Sequence, residues 1–321
     1  MSLAGAALPA RVRAQSDADP AVTSASPALR VLLGSGEAEP GPAPGAFLFN
    51  GQAYRGAFVR LRDGTIVNVV DIEQYLYSVV AREMPARWPA TALEAQAICA
   101  RTYVLQRSNP RRSYDLVPSE IDQVYAGIAD ESLAGRGAVD ASTAQVLRFG
   151  NGYATSAYSS CCGGHTEASV DAWGGTPIPY LGGVACTFCT DSPNYRWSAS
   201  LTLQDLATRF GQQLEPLGTL HDCRIGEIDS SGRARSFELV ADRGSTVIKA
   251  SAFRLAVGPR VLRSLLIAGL RVDQPSGVIV LEGGGLGHGV GMCQWGARGM
   301  ALGGRTAREI LGWYFPGTHV G

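Results

Sequence analysis

The sequence carries no excess of either charge: Lys and Arg together number 28, and so do Asp and Glu, among 321 residues. That balance withholds the long-range basic field that draws nucleic acid or anionic lipid. No nucleic acid partner is therefore expected, and a neutral or locally read one is. Also missing is any continuous run of the roughly 18–20 apolar residues that a membrane-spanning helix requires. Glycine, by contrast, is abundant at 40 residues. Its clustering at 282–304 marks backbone that must turn tightly or approach a ligand closely. With 45% hydrophobic content, the chain can bury one large core or two modest ones.

The first 45 residues lack the patterning of a folded unit. The start, MSLAGAALPARVRAQ, reads either as the cleavage zone of a secretory leader or as a disordered terminus. The Ala, Pro, Ser and Gly that follow read as a flexible linker with one early strand at the apolar run Leu29–Leu33. From Ala46 onward, short β-favouring runs separated by glycine turns open a meander. An amphipathic helix follows, capped at Asp71, with Ile72, Tyr75, Leu76, Val79 and Val80 on one face. It ends at Glu83-Met84-Pro85. Thr91 to Glu94 reads as a capping box for a second, Ala-rich helix running to Gln106. A hairpin turning at Asn151-Gly152 delivers the chain to Cys161. Residues 198–275 differ in texture and read as an inserted or second lobe. The fold class expected is α+β, with helices and mostly antiparallel short strands in two lobes around a cleft.

Candidate chemistry concentrates in three places. The first is the elbow between the two helices, where Glu83 stands at a helix end with Trp88 close enough to wall a site. Partial burial among apolar groups raises a carboxyl pKa and suits it to donate a proton near neutrality. On the second helix, Gln96 and Arg101 either reach into the cleft beside Glu83 or form a buried network tying the helices together. Glu73 and Glu94 are read as structural acids of their first helical turns.

The second place is Gly283-Gly284-Gly285-Leu286-Gly287-His288-Gly289-Val290-Gly291. It has no Gly-Lys-Ser/Thr ending and no dinucleotide pattern, so a phosphate loop is excluded. Glycines flanking one histidine let the backbone pack tightly while His288 projects into a cleft, with Gln294 and Trp295 following. The third place is the cysteine set. Cys162 and His165, then Cys186 and Cys189, have the spacing of a tetrahedral zinc site, with Cys161 an alternative to Cys162. Two disulfides among Cys161, Cys162, Cys186 and Cys189 are the competing reading. Four protein ligands would leave the zinc structural, with no open position for water.

The run Val70 to Pro85, continued in Trp88, Ala92 to Ala97 and Cys99 to Tyr103, resembles the signature of the SpoIID/LytB family. The likeness extends to Gly163 to Thr166, Trp173, Pro179 to Leu181, Gly287 to Ala297 and Trp313 to Thr318, in ordered blocks across residues 46–321. Position 293 departs from the pattern, with cysteine where many relatives carry serine. The resemblance implies an exported protein acting on peptidoglycan glycan strands, either as a lytic transglycosylase or as a glycan-binding enhancer of a cell-wall amidase. It implies that Glu83, in the Glu-Met-Pro segment, is the acid, working with His288 across the cleft. Lytic chemistry joins the sugar's own 6-hydroxyl to its anomeric carbon, so one acid/base can serve and no second carboxylate is required. Zinc bound through Cys and His is reported for some members.

Overall fold

A computed structural model describes residues 27–41, 43–119 and 122–321. The leader reading falls on residues 1–26 and lies outside the described residues. The early strand expected at Leu29–Leu33 is present as Ala28–Ser35, with Leu29 and Val31 buried. It pairs antiparallel with Thr65–Asp71, which pairs in turn with Ala57–Arg60. A hairpin sheet of Ala38–Pro40, Ala46–Phe49 and Gln52–Arg55 lies beside them. The alternating burial of Ala28–Ser35 explains its place: one side faces the core, and the short apolar run suffices to fill it.

Helix α1, Ile72–Glu83, follows the third strand without a loop, and the Asp71 side chain accepts from the backbone N–H groups of Glu73 and Gln74. Its expected apolar face is buried throughout. Helix α2, Ala90–Arg107, starts on Pro89 with no side-chain cap, so Thr91 is not an N-cap and the expected capping box with Glu94 is absent. Proline just ahead of the first turn serves instead, since the N–H it lacks would have no helical partner there. Helix α3, Leu133–Ala141, packs across both.

Arg101 on α2 does not reach the cleft. Its guanidinium, 1% exposed, donates to Glu73 Oε1 at 2.8 Å and to the Gln145 carbonyl at 3.0 Å. It therefore takes the network role left open above and is corrected as a substrate contact: Glu73, one helix away, offers a carboxylate that burial makes costly to leave unpaired. Arg101→Met should destabilise the chain by about 3–5 kcal/mol in urea unfolding, because it strands a buried carboxylate. Adding Glu73→Leu should recover most of the loss, an outcome that a substrate-contacting arginine would not produce.

The described residues form two hydrophobic cores. One gathers the N-terminal strands, α1, α2 and the C-terminal helices, including Tyr75, Leu93, Ile310 and Phe315. The other runs from Trp197 to Leu281 and is centred on Phe237, stacked 4.1 Å from Phe253. It is covered by two antiparallel sheets, Leu220–Ile225 with Ser236–Ala241 and Gly244–Lys249, and Trp197–Thr202 with Val278–Gly284 and Leu266–Asp273. This architecture is the mixed α+β class expected, with antiparallel ladders dominating. Among the described residues, no helix is long and apolar enough to cross a membrane.

Candidate functional site

Glu83 is the last residue of α1, and the chain turns out of the helix at Met84. Met84 is buried, so the turn is anchored from below while Glu83 stays half-exposed on the wall of a cavity of about 630 Å³. The opposite wall is brought in from far along the chain. Met292–Cys293 pairs parallel with Tyr158–Ser159, which sets the helix Gln294–Leu302 against the elbow. Gln294 Nε2 then donates to Glu83 Oε2 at 3.0 Å and to Gln96 Oε1 at 3.3 Å. Gln96 is fully buried behind this pair. It holds Gln294 rather than substrate, and its own Nε2 has no partner among the described residues.

A second carboxylate on the cavity wall, Asp122, accepts from the Tyr103 hydroxyl at 2.9 Å and pairs with Arg107 at 3.2 Å. A buried relay lies behind Glu83: the Tyr75 hydroxyl donates to Gln123 Oε1, and Gln123 Nε2 donates to the Tyr158 hydroxyl, each at 3.1 Å. Burial, aided by the Glu83 charge, pushes Tyr158 well above its ordinary range, so it stays a neutral phenol. Tyr103, Asp122, Gln123 and Tyr158 escaped the sequence reading. Only the topology, which folds a loop and a hairpin onto the elbow, brings them there.

The glycine loop adopts left-handed backbone at Gly289 and Gly291. A Cβ at Gly289 would lie 2.5 Å from Arg233 Nη2, and one at Gly291 would strike the Ala157 carbonyl. This close packing turns His288 to the cavity wall, with its ring 5.5 Å from Trp173. Its Nδ1 accepts from the Val290 N–H at 3.0 Å. Burial first, then the charges of Arg254 and Arg233, push the imidazole down to about 4. His288 is therefore neutral near pH 7, with Nδ1 engaged by backbone and the ring on the wall of the cleft.

Trp88 is buried and packs edge-on against Trp295 at 5.1 Å, beneath the elbow rather than on the cavity wall. It is corrected as a substrate contact, since its indole fills core.

The sulfur cluster differs from expectation by one ligand. The Sγ atoms of Cys162, Cys186, Cys189 and Cys293 all lie within 4.8 Å of one another, and all four residues are buried. His165 is not among them; its Nδ1 faces the Thr166 carbonyl at 2.7 Å. The turn through Gly163 and Gly164, both with positive φ, directs Cys162 inward and His165 elsewhere. Cys293 supplies the fourth position from the far strand, a ligand that no local spacing could reveal. The Cys162 and Cys189 sulfurs are 3.7 Å apart. Four thiolates at about 2.3 Å from one zinc stand roughly 3.8 Å from each other, so the quartet fits a tetrahedral ion, and the separation is far from a disulfide bond.

Arg233, next to Ala234 of the second core, ties the cluster to that core by donating to the Cys162 and His165 carbonyls at 2.8 and 3.1 Å. It also faces Glu167 at 3.4 Å. Burial nevertheless raises the Glu167 carboxyl to about 8; Arg233 opposes the shift and Asp229 adds to it. An unfolded glutamate ionises near 4.3. Between about pH 4.3 and 8 the unfolded chain thus releases a proton that the folded chain keeps, and stability falls as pH rises through this window. Glu167→Gln should flatten that dependence by a few kcal/mol, at about 1.4 kcal/mol per pH unit. Urea unfolding of both chains at pH 5 and 8 checks it, the comparison cancelling other titrating groups.

The family model described as Stage II sporulation protein matches residues 62–149, which carry Glu83 and Gln96. A model described as a domain of unknown function matches residues 187–291, which carry Cys189 and His288. An uncharacterized protein of Brachyspira hyodysenteriae is 32% identical over 281 residues, covering 85% of this chain and 74% of the relative. The chain belongs to the SpoIID family. Stage II sporulation protein D of Bacillus subtilis is 28% identical over 272 residues, covering 79% of this chain and 75% of its own length. The Amidase enhancer of Bacillus subtilis is 27% identical over 292 residues; the alignment takes in 76% of this chain but 40% of that longer protein.

Proposed function

We propose that this chain is a peptidoglycan lytic transglycosylase, exported to the cell envelope, that cleaves the bond between N-acetylmuramic acid and N-acetylglucosamine. The observation that carries the reading is Glu83 on the wall of an open cleft, with its carboxylate held by the Gln294 amide. Glu83 gives its proton to the leaving 4-oxygen of N-acetylglucosamine as the anomeric C–O bond breaks. The carboxylate so formed then takes the proton of the muramic 6-hydroxyl, whose oxygen bonds the anomeric carbon and closes a 1,6-anhydro ring. No water is consumed, and Glu83 ends as it began. The Gln294 amide steadies the carboxylate in its ionised half of the cycle. Neutral His288 and Trp173 shape the cleft floor and edge.

Zinc in the Cys162, Cys186, Cys189 and Cys293 quartet would be structural, since four thiolates fill its tetrahedron. The ion would hold the strand that leads into Gln294. A second reading draws on the relative named Amidase enhancer: the cleft binds glycan without cutting it and stimulates a cell-wall amidase. Digestion of purified glycan strands followed by mass spectrometry separates the two. Anhydro ends support the enzyme; their absence, with faster amidase turnover on adding this chain, supports the enhancer.

A further inference from the structure

The His288 loop is held from both sides. Toward the Glu83 cleft, the Gly289 N–H donates to Ser159 Oγ at 3.2 Å, and the chain runs on through Met292–Cys293 to Gln294. The other side rests on Arg233, which is 1% exposed and stands off the cleft wall. A Cβ at Gly289 would meet atoms of one guanidinium, Nη2 at 2.5 Å, Cζ at 2.8 Å and Nε at 2.9 Å. The loop backbone therefore lies against the flat face of that group.

Arg233 is itself fixed. Asp229 Oδ1 accepts from the N–H groups of Ser231 and Arg233 at 2.8 and 3.0 Å, and the Ser231 hydroxyl accepts from Arg233 Nη1 at 2.9 Å. The next residue, Ala234, belongs to the second core and donates its N–H to the Leu265 carbonyl at 2.9 Å. Nη2 serves the Cys162 and His165 carbonyls, and the same segment closes the frame, because the Glu167 N–H donates to the Gly289 carbonyl at 3.0 Å. Glu167 Oε2, 3.4 Å from Nε, pairs as an ion without a hydrogen bond. Carbonyls, not the carboxylate, thus set where the guanidinium lies. One side chain joins the segments 162–167, 229–234 and 287–290.

The structure assigns Arg233 as a positioning residue for the Glu83 cleft: it carries the second core to the His288 loop and fixes where that loop delivers Gln294 to Glu83. Val290, Gly291, Met292 and Cys293, which alone separate Gly289 from Gln294, are all buried. Close packing leaves them no slack to absorb a shift at Gly289, so it reaches the 3.0 Å bond between Gln294 Nε2 and Glu83 Oε2. A lysine at 233 would keep the charge opposite Glu167. It would offer a point ammonium and no flat face for Gly289. The effect on rate rests on the proposed lytic reading; the effect on the loop rests on the geometry alone.

The test uses the full chain and two readouts. With only four histidines, imidazole spectra of ¹⁵N-labelled protein resolve His288, whose Nδ1 accepts from the Val290 N–H. In Arg233→Lys the His288 signals are expected to move, while those of His221 and His319, exposed on other strands, stay in place. Release of anhydro ends, counted per folded chain well below the thermal midpoint, should fall about 10–100-fold in kcat, the scale of a misplacement of about 1 Å. KM should stay within about twofold, as for a contact that matters only in the transition state. Arg233→Met made in Glu167→Gln strands no buried ion and should repeat both effects relative to Glu167→Gln alone. His288 signals unmoved in both variants would overturn the assignment. So would moved signals with a parental kcat, or a rate loss that vanishes per folded chain. If the unsubstituted chain releases no anhydro ends, the lytic reading fails by itself, and the histidine spectra alone decide this one.

Discussion

Glu83→Gln is expected to lower the release of 1,6-anhydro ends from purified glycan by about 10²–10⁴, the usual contribution of a positioned general acid/base. The substitution is chosen because it keeps the local frame. Glutamine has the shape of glutamate and retains a carbonyl oxygen able to accept from Gln294 Nε2, the bond that now holds Glu83. It can neither give a proton to the leaving oxygen nor remove one from the 6-hydroxyl, so both halves of the reaction fail together. Asp122 is poorly placed to substitute, since its carboxylate is already engaged by Arg107 and the Tyr103 hydroxyl. The measurement is mass spectrometry of strands after digestion, with circular dichroism as the check on folding. Product at the unsubstituted rate from the variant would remove Glu83 from the chemistry. Gln294→Ala offers a graded companion, because it leaves the carboxyl in place and takes away only what orients it.

What could be read from the sequence, and what could not, divides along chain distance. The cap at Asp71 and the apolar face of α1 depend on neighbours within a few positions, and the structure shows both. The helix-end position of Glu83 could be read from the pattern of α1, whereas its choice as the acid came from the family resemblance of the Glu-Met-Pro segment. The partners of Glu83 could not be read. Gln96, Gln294 and Gln123 converge from three remote segments, and only the parallel pairing of Met292–Cys293 with Tyr158–Ser159 determines that they meet. The same cause underlies the errors. Arg101 is polar on an apolar helix, which fits a ligand contact and a buried ion pair equally until the place of Glu73 is known. Trp88 follows the elbow in sequence yet points beneath it, toward Trp295. Thr91 has a capping-box pattern, but Pro89 starts the helix earlier.

The cysteine quartet carries the second large effect. Zinc is expected at one ion per chain, and Cys293→Ser should lose it although the residue lies more than a hundred positions from Cys162. His165→Ala should keep it, since that imidazole faces a backbone carbonyl rather than the thiols. The energetic scale is set by the ion itself: structural zinc sites bind with an apparent free energy on the order of 10 kcal/mol, comparable to the whole stability of a domain. Loss of one thiolate should therefore lower the thermal midpoint by far more than a serine for a buried cysteine would cost through packing alone. The loss should also reach the chemistry. Cys293 caps the helix that begins at Gln294, its sulfur accepting from the Gly296 N–H at 3.3 Å and from the Cys162 N–H at 3.2 Å. A loosened sulfur core lets that helix start drift, and with it the amide on Glu83. Elemental analysis of protein purified without chelators, calorimetry and the anhydro-end assay should then move together in Cys293→Ser and stay fixed in His165→Ala. Zinc retained by Cys293→Ser, or lost from His165→Ala, would assign the ion to the Cys and His spacing read along the chain instead.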